Sequence, residues 1–330
     1  MKKIINQVEN VVAEMCEGFQ KANNQYVVLD KKNKIIMRKN LNRDKVCLIC
    51  GGGSGHEPAH AGFVGEGMLD AAVCGDVFAS PSTIQVYNAI CQTQSKKGTL
   101  LIVKNYSGDI MNFDAAAEMA KEDGILVESV YVNDDIAVED SLYTIGRRGV
   151  AGTVFVQKIA GAAAELGKEL GEVKRIAEKV IHNVKTIGVA LTSCTVPAKG
   201  TPTFNLEEDE IEFGVGIHGE PGTHRQKIET ADGLAKRMCN KLINELQLNN
   251  QSECAIIING LGGTPLMEQY ILYNSVSRLI ESNGINIYRT LVGNYITSLD
   301  MAGVSVTVLK LDEEIKKLLD YNVNTVALKF

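Results

Sequence analysis

Val46-Cys47-Leu48-Ile49-Cys50-Gly51-Gly52-Gly53-Ser54-Gly55-His56-Glu57-Pro58 reads as an apolar strand running into a glycine-rich loop. Its first five residues are apolar without alternation, as in a strand buried on both faces. Four glycines in the next five positions end that strand and let the backbone approach a ligand with its N–H groups turned inward. A buried strand leading into such a loop is the signature of an α/β sheet with its site at a strand exit.

Outward from this stretch, short β-branched runs alternate with longer helical patterns. Strands are predicted over 46–50, 71–74, 99–103, 125–132, 186–192, 211–217, 254–259, 285–292 and 304–309. Helices are predicted over 82–94, 113–122, 155–182, 229–247 and 266–282, after an opening helix marked by Ile4, Val8, Val11, Met15 and Phe19. The alternation predicts an α/β fold of two α/β domains, with sheets covered by helices and the site on loops at strand C-terminal ends. The 330 residues suit two domains of roughly 150 residues each. The break is placed near residue 183, giving an N-terminal domain 1–183 with the glycine loop, Lys104 and Asp109, and a C-terminal domain 184–330 carrying His218.

A formal charge of -6, with the basic residues spread along the chain, argues against nucleic acid and anionic membrane as partners. No apolar stretch approaches the ~20 residues of a membrane span, and the start lacks a signal-peptide core, so a cytoplasmic protein is expected. The eight cysteines sit mostly one at a time in apolar segments, the pattern of small buried hydrophobes in a reducing compartment. The Cys47/Cys50 spacing invites a redox or zinc half-site, but no second ligand pair accompanies it, and core packing is the reading taken.

Three strand exits carry unusual chemistry. The first is the glycine loop. It lacks the Gly-Lys-Ser/Thr ending of a Walker A loop and does not fit the dinucleotide fingerprint in one register. His56 either caps a following helix, or stays neutral at that helix's positive end and is available for proton transfer. The second exit, Lys104-Asn105-Tyr106-Ser107-Gly108-Asp109 with Asn112 beyond, offers cation, donor and base to a polyhydroxyl substrate. Asp109 also suits an N-cap for a helix opening near Phe113. The third, Glu212 to Gly222, ends a strand on His218 between glycines, where the ring is either structural or reactive. A zinc site of His56, His60, His218 and His224 with Glu57 and Glu220 is the competing reading. None of the spacings is a metal signature, and no metal site is expected.

Taken in order, seven motifs resemble the dihydroxyacetone kinase family. They are Gly-Gly-Gly-Ser-Gly-His-Glu-Pro (51–58), Lys-Asn-Tyr-Ser-Gly-Asp (104–109), Asp-Ser-Leu-Tyr-Thr-Ile-Gly-Arg-Arg-Gly (140–149), Cys-Thr-Val-Pro (194–197), Gly-Ile-His-Gly-Glu-Pro-Gly (216–222), Leu-Gly-Gly-Thr-Pro-Leu (261–266) and Thr-Ser-Leu-Asp-Met-Ala-Gly (297–303). The resemblance implies that His218 attacks a ketone carbon to form a covalent hemiaminal and that His56 moves a proton at the former carbonyl oxygen. It implies that Asp109 accepts the proton of the substrate hydroxyl as that hydroxyl attacks phosphorus. Gly53, Ser54, Gly55, His56, Lys104 and Asp109 match the substrate-binding positions.

The chain carries no nucleotide-binding loop, and single-chain ATP-using relatives continue into a further helical domain. The resemblance is therefore to the bacterial, phosphoenolpyruvate-dependent type. There a separate ADP-binding kinase subunit holds ADP and Mg2+ and is recharged through the phosphotransferase system, while this chain binds no cofactor itself. A homodimer is also implied. Two alternatives remain open: a dihydroxyacetone-sensing coactivator of a transcription factor, and the separated half of an ATP-dependent enzyme.

Overall fold

The computed structural model describes residues 2–138 and 146–329. The chain forms two compact units, one of residues 2–132, 154–181 and 314 onward, the other of 133–153 and 182–313. The single break expected near residue 183 is corrected in two places. Residues 133–153 join the second unit because Asp134 and Arg148 bond to residues of 182–313: Thr186 Oγ1 donates to Asp134 at 2.5 Å, and Arg148 Nη2 donates to the Gly214 carbonyl at 2.7 Å. The C-terminal segment belongs to the first unit.

In the first unit the strands are β1 (Val27–Asp30), β2 (Ile35–Arg38), β3 (Cys47–Ser54), the short β4 (Gly65–Glu66), β5 (Ala71–Val77), β6 (Thr99–Lys104) and β7 (Val127–Val132). Six of them make one sheet in the order β1-β2-β5-β3-β6-β7. The four strands from β5 to β7 are parallel; β1 and β2 form an antiparallel edge. The unbroken apolar run of β3 is thus explained by its place inside the parallel part, where every residue is buried.

The helices of this unit are α1 (Val11–Ala22), α2 (Thr83–Thr93), α3 (Ser107–Glu122), α4 (Thr153–Glu165) and α5 (Leu170–Asn183). α2 and α3 cover one face through Val86, Ile90, Phe113 and Ala117, packed on Ile49, Val73 and Leu101. α1 brings Cys16 to Cys74 on the opposite face. α2 opens with a Ser82/Gln85 capping box, which satisfies two of the N–H groups left over at a helix start. The helix expected over 155–182 is divided at residues 166–169, where Gly167 takes φ +78°. β1 and β2 escaped the sequence reading because four-residue strands of mixed burial carry little periodic signal.

The second unit contains β8 (Val184–Ala190), β9 (Glu210–Phe213), β10 (His224–Lys227), β11 (Glu253–Gly260), β12 (Asn286–Gly293) and β13 (Gly303–Leu311), in the order β10-β9-β8-β13-β11-β12. Among the described residues of this sheet, β11 and β12 run parallel and the other strand pairs antiparallel. α6 (Ala231–Leu246) and α7 (Leu266–Ser282) pack on one face, against Ile187, Phe213, Ile256 and Val306. The opposite face bears Thr186 and Thr307, and there the 133–153 segment docks through Asp134. The chain then re-enters the first unit as α8 (Glu313–Leu319), where Lys158 Nζ donates to the Leu318 carbonyl at 3.0 Å, and as β14 (Asn324–Thr325), which pairs with β4.

Candidate functional site

In the first unit the glycine loop and the Lys104 exit are neighbours because β3 and β6 are paired parallel strands that end on the same side. Gly52 has φ +146°, and a Cβ there would lie 2.6 Å from Lys104 Nζ and 3.3 Å from Asp109 Oδ2, so only glycine lets this ammonium and carboxylate sit against the loop. Ser54 Oγ donates to the Gly75 carbonyl at 2.7 Å, which ties the loop to β5. Both Glu57 carboxylate oxygens accept from the Gly55 N–H at 3.1 Å.

Lys104 is fully buried at the end of β6. Its Nζ makes no hydrogen bond among the described residues, lies 3.9 Å from Asp109 Oδ2, and stands 5.8 Å from the centre of the Tyr106 ring. A buried ammonium served only by these distant contacts has lost most of its hydration without full compensation. Asp109 is 4% exposed. Burial pushes its carboxyl above the usual aspartate range, against the opposing pull of Lys104 and a hydrogen bond from Ser80.

Asp109 does not cap a helix opening near Phe113: α3 starts at Ser107, its N-cap position is Tyr106, and Asp109 lies in the first turn. Asn112 accepts from Thr83 Oγ1 at 3.1 Å and so joins the second turn of α3 to the start of α2.

His56 is fully buried and stacks on Phe78, ring centres 5.1 Å apart and planes 19° from parallel. No α-helix follows it. Residues 57–60 form turns and Ala61–Phe63 a single 3-10 turn, so the helix-end field expected at His56 is absent. Instead the Ala59, Gly62 and Phe63 N–H groups donate to the His56, Pro58 and His60 carbonyls in successive isolated turns, and the chain enters β4 at Gly65. His60 sits in the interior, its Nδ1 2.8 Å from Gln157 Nε2 and 3.5 Å from Cys50 Sγ. Burial, with Lys104 and His56 nearby, keeps its pKa well below the ordinary histidine value. Cys47 and Cys50, three apart on one strand, point to opposite faces, and burial pushes both thiols up to about 12, as inert core residues.

In the second unit His218 stands in the turn between β9 and β10 and is half-buried. β9 ends at Phe213 rather than continuing to 217, because the Gly214 carbonyl turns aside to accept from Arg148 Nη2 at 2.7 Å. The His218 N–H donates to Glu220 Oε2 at 2.8 Å, and Glu220 Oε1 accepts from Arg148 Nη1 at 3.1 Å. Arg148 is 1% exposed and bonds Asp135 Oδ2 through Nε at 2.8 Å and Nη2 at 2.6 Å. Burial pushes Asp135 up to about 6 even beside this guanidinium. Asp134, next to it, accepts from the Val150 and Gly152 N–H groups and from Thr186 Oγ1.

Arg148, Asp134 and Asp135 carry no spacing that marks them as a site in the sequence; residues 140–145 of the 140–149 motif lie outside the described residues. Two adjacent acids in an apolar context were the available signal. His224 bonds Thr223 Oγ1 at 3.0 Å and Gln226 Oε1 at 3.2 Å. Three further motifs hold one another: Thr264 Oγ1 exchanges two 2.7 Å hydrogen bonds with Gly303, and Asp300 accepts from the Thr195 N–H at 2.8 Å.

Residues 17–327 match the model of the Dak1 domain. Over 328 residues the chain is 53% identical to a Listeria innocua protein named PTS-dependent dihydroxyacetone kinase 1, dihydroxyacetone-binding subunit DhaK, spanning 99% of this chain and 100% of that one. The crystal structure of the dihydroxyacetone kinase of C. freundii matches with a TM-score of 0.90 at 38% identity; 99% of this chain corresponds to 60% of that enzyme's length. A structure named dihydroxyacetone kinase operon co-activator Dha-DhaQ also matches with a TM-score of 0.90, at 37% identity over 96% of this chain and 97% of the other. The chain belongs to the Dak1 domain family, the dihydroxyacetone kinase family that its motifs resemble.

Proposed function

We propose that this chain is the dihydroxyacetone-binding subunit of a phosphoenolpyruvate-dependent dihydroxyacetone kinase. The observation that carries the reading is Lys104, a buried ammonium with no hydrogen bond among the described residues, held beside a buried carboxyl under a glycine loop. Such a cluster leaves donor and acceptor capacity unused, and a small polyhydroxylated ligand supplies the missing partners. The printed name of the 53% identical relative supports dihydroxyacetone as that ligand.

In this reading a neutral His218 nitrogen adds to the ketone carbon. The C=O π pair moves to oxygen, which takes a proton from His56, and the proton on the other His218 ring nitrogen is released through solvent to restore His56, leaving a neutral N-substituted imidazole. Gly53, Ser54, Gly55 and Lys104 hold the substrate. Asp109 accepts the proton of the terminal hydroxyl as it attacks phosphorus; its raised pKa brings it nearer the working pH, where a base is most effective. Covalent capture rejects glycerol, which has no carbonyl, where contacts alone discriminate weakly among so few atoms. The phosphoryl donor is a separate subunit carrying ADP and Mg2+, recharged from phosphoenolpyruvate through the phosphotransferase system, in a cytoplasmic setting. This chain itself holds no cofactor and works as a homodimer.

The test is reconstitution. Mixed with the ADP-loaded partner and the relay, the chain yields dihydroxyacetone phosphate, and its intact mass with ketone alone rises by one adduct that His218→Ala lacks. An unchanged adduct in His218→Ala removes the covalent step. The likeness to a co-activator structure supports a second reading, a dihydroxyacetone sensor, at 37% rather than 53% identity. Ketone binding without product, with the partner verified on a known subunit, favours the sensor.

A further inference from the structure

Arg148 and Glu220 have no role in the capture chemistry, yet both are buried and both reach the segment that bears His218. Arg148 bonds to both ends of the 214–220 turn: Nη2 to the Gly214 carbonyl and Nη1 to Glu220 Oε1. Its other edge is held by Asp135 through Nε and Nη2. Asp135 is in turn fixed to the sheet, because the next residue's N–H, that of Ile136, donates to the Thr186 carbonyl of β8 at 2.9 Å. Glu220 divides its two oxygens between Arg148 and the His218 N–H.

Gly216 completes the arrangement, since a Cβ there would run into Glu220 Oε1. Only a planar, multiply donating guanidinium makes this set of bonds; a lysine ammonium on one stem does not span both ends of the turn.

We infer that Glu220 and Arg148 are positioning residues that clamp the backbone at His218 and so aim its ring at the ketone carbon. The inference rests on the capture reading for its effect on chemistry, but not for the clamp itself. A nucleophile held in one orientation adds to a carbonyl faster and more tightly than one on a loose turn. Glu220→Gln is nearly isosteric, but its single oxygen serves either the His218 N–H or Arg148, and its amide group confronts the other donor.

The experiment uses the full chain and reads two quantities. Amide hydrogen exchange at His218 reports the clamp without any ketone. Titration of the mass adduct with dihydroxyacetone reports capture. Wild-type His218 is expected to exchange slowly. In Glu220→Gln that amide is expected to exchange faster, and the adduct midpoint to rise by roughly tenfold, the effect of losing one charge-assisted hydrogen bond. Turnover at saturating ketone, with the partner present, is expected to stay within about twofold, because the later proton transfer belongs to Asp109. A merely structural role would lower the melting temperature without this split.

Unprotected exchange at His218 in the wild-type protein overturns the inference even if the variant does not fold. Equal exchange and equal midpoints in the wild type and Glu220→Gln overturn it too. Failure of the wild-type protein to form an adduct, with His218 protected, overturns the capture reading and leaves the clamp standing.

Discussion

Each unit buries a large cation next to carboxylates, and the two do so in opposite ways. Arg148 in the second unit bonds through Nε, Nη1 and Nη2 to Asp135, Glu220 and Gly214. Lys104 in the first makes no hydrogen bond among the described residues and has its carboxylate 3.9 Å away. A buried cation whose bonds are met within the fold holds a backbone in place. One whose bonds are incomplete has capacity left for a ligand. The sheets differ likewise: the first places its buried chemistry at the exits of paired parallel strands, whereas the second carries His218 on a turn between antiparallel strands that is anchored separately.

The comparison breaks most sharply at Asp109. Asp109→Asn is expected to lower turnover by about 10²–10⁴-fold, the usual worth of a general base, while leaving the mass adduct in place. A loss of the adduct together with turnover would move Asp109 from proton acceptor to binding residue. Next comes Arg148→Met, expected to cost about 3–5 kcal/mol of stability in a denaturant titration, because Asp135 and Glu220 are left buried without their cation. A change under 1 kcal/mol would mean that the clamp contributes nothing to the fold.

Gly52→Ala places a methyl group against Lys104 Nζ and demands a backbone angle that L-residues avoid. The expected cost is about 1–2 kcal/mol in melting experiments, with weaker ketone binding in the adduct titration. The smallest effect belongs to Lys104→Met, whose stability is expected to stay within about 1 kcal/mol of wild type because a poorly compensated ammonium is removed. Its signature is in the pH profile. Burial already raises Asp109 and Lys104 opposes that rise, so removing the positive charge disfavours the carboxylate and raises its pKa further. The base is active when ionised, so the acid limb of turnover starts above the ordinary aspartate value of about 4 and moves to higher pH in this variant. An unmoved limb would separate Lys104 from Asp109.

Local pattern made most of the elements legible. Continuous apolar runs marked β3 and β6, and helical spacing marked α2, α6 and α7 nearly to their ends. The short strands β1, β2 and β10 were not legible, since four residues carry no distinctive periodicity. On the site, Lys104 and Asp109 followed from their place at a strand exit, but the helix supposed after His56 did not form. The clamp on His218 was invisible because its members, at 135, 148, 214 and 220, are joined by hydrogen bonds across the fold rather than by spacing.

The α/β class, the glycine loop and the place of Lys104 at the end of a strand were readable in the amino-acid sequence, because periodicity and backbone freedom act over a few residues. Which segments share a core, that β8 to β13 pair mostly antiparallel, and which buried charge finds its partners became visible in the fold alone. Those outcomes depend on burial and on bonds between residues far apart in the chain, and a buried charge is cheap or costly according to groups that no local pattern records.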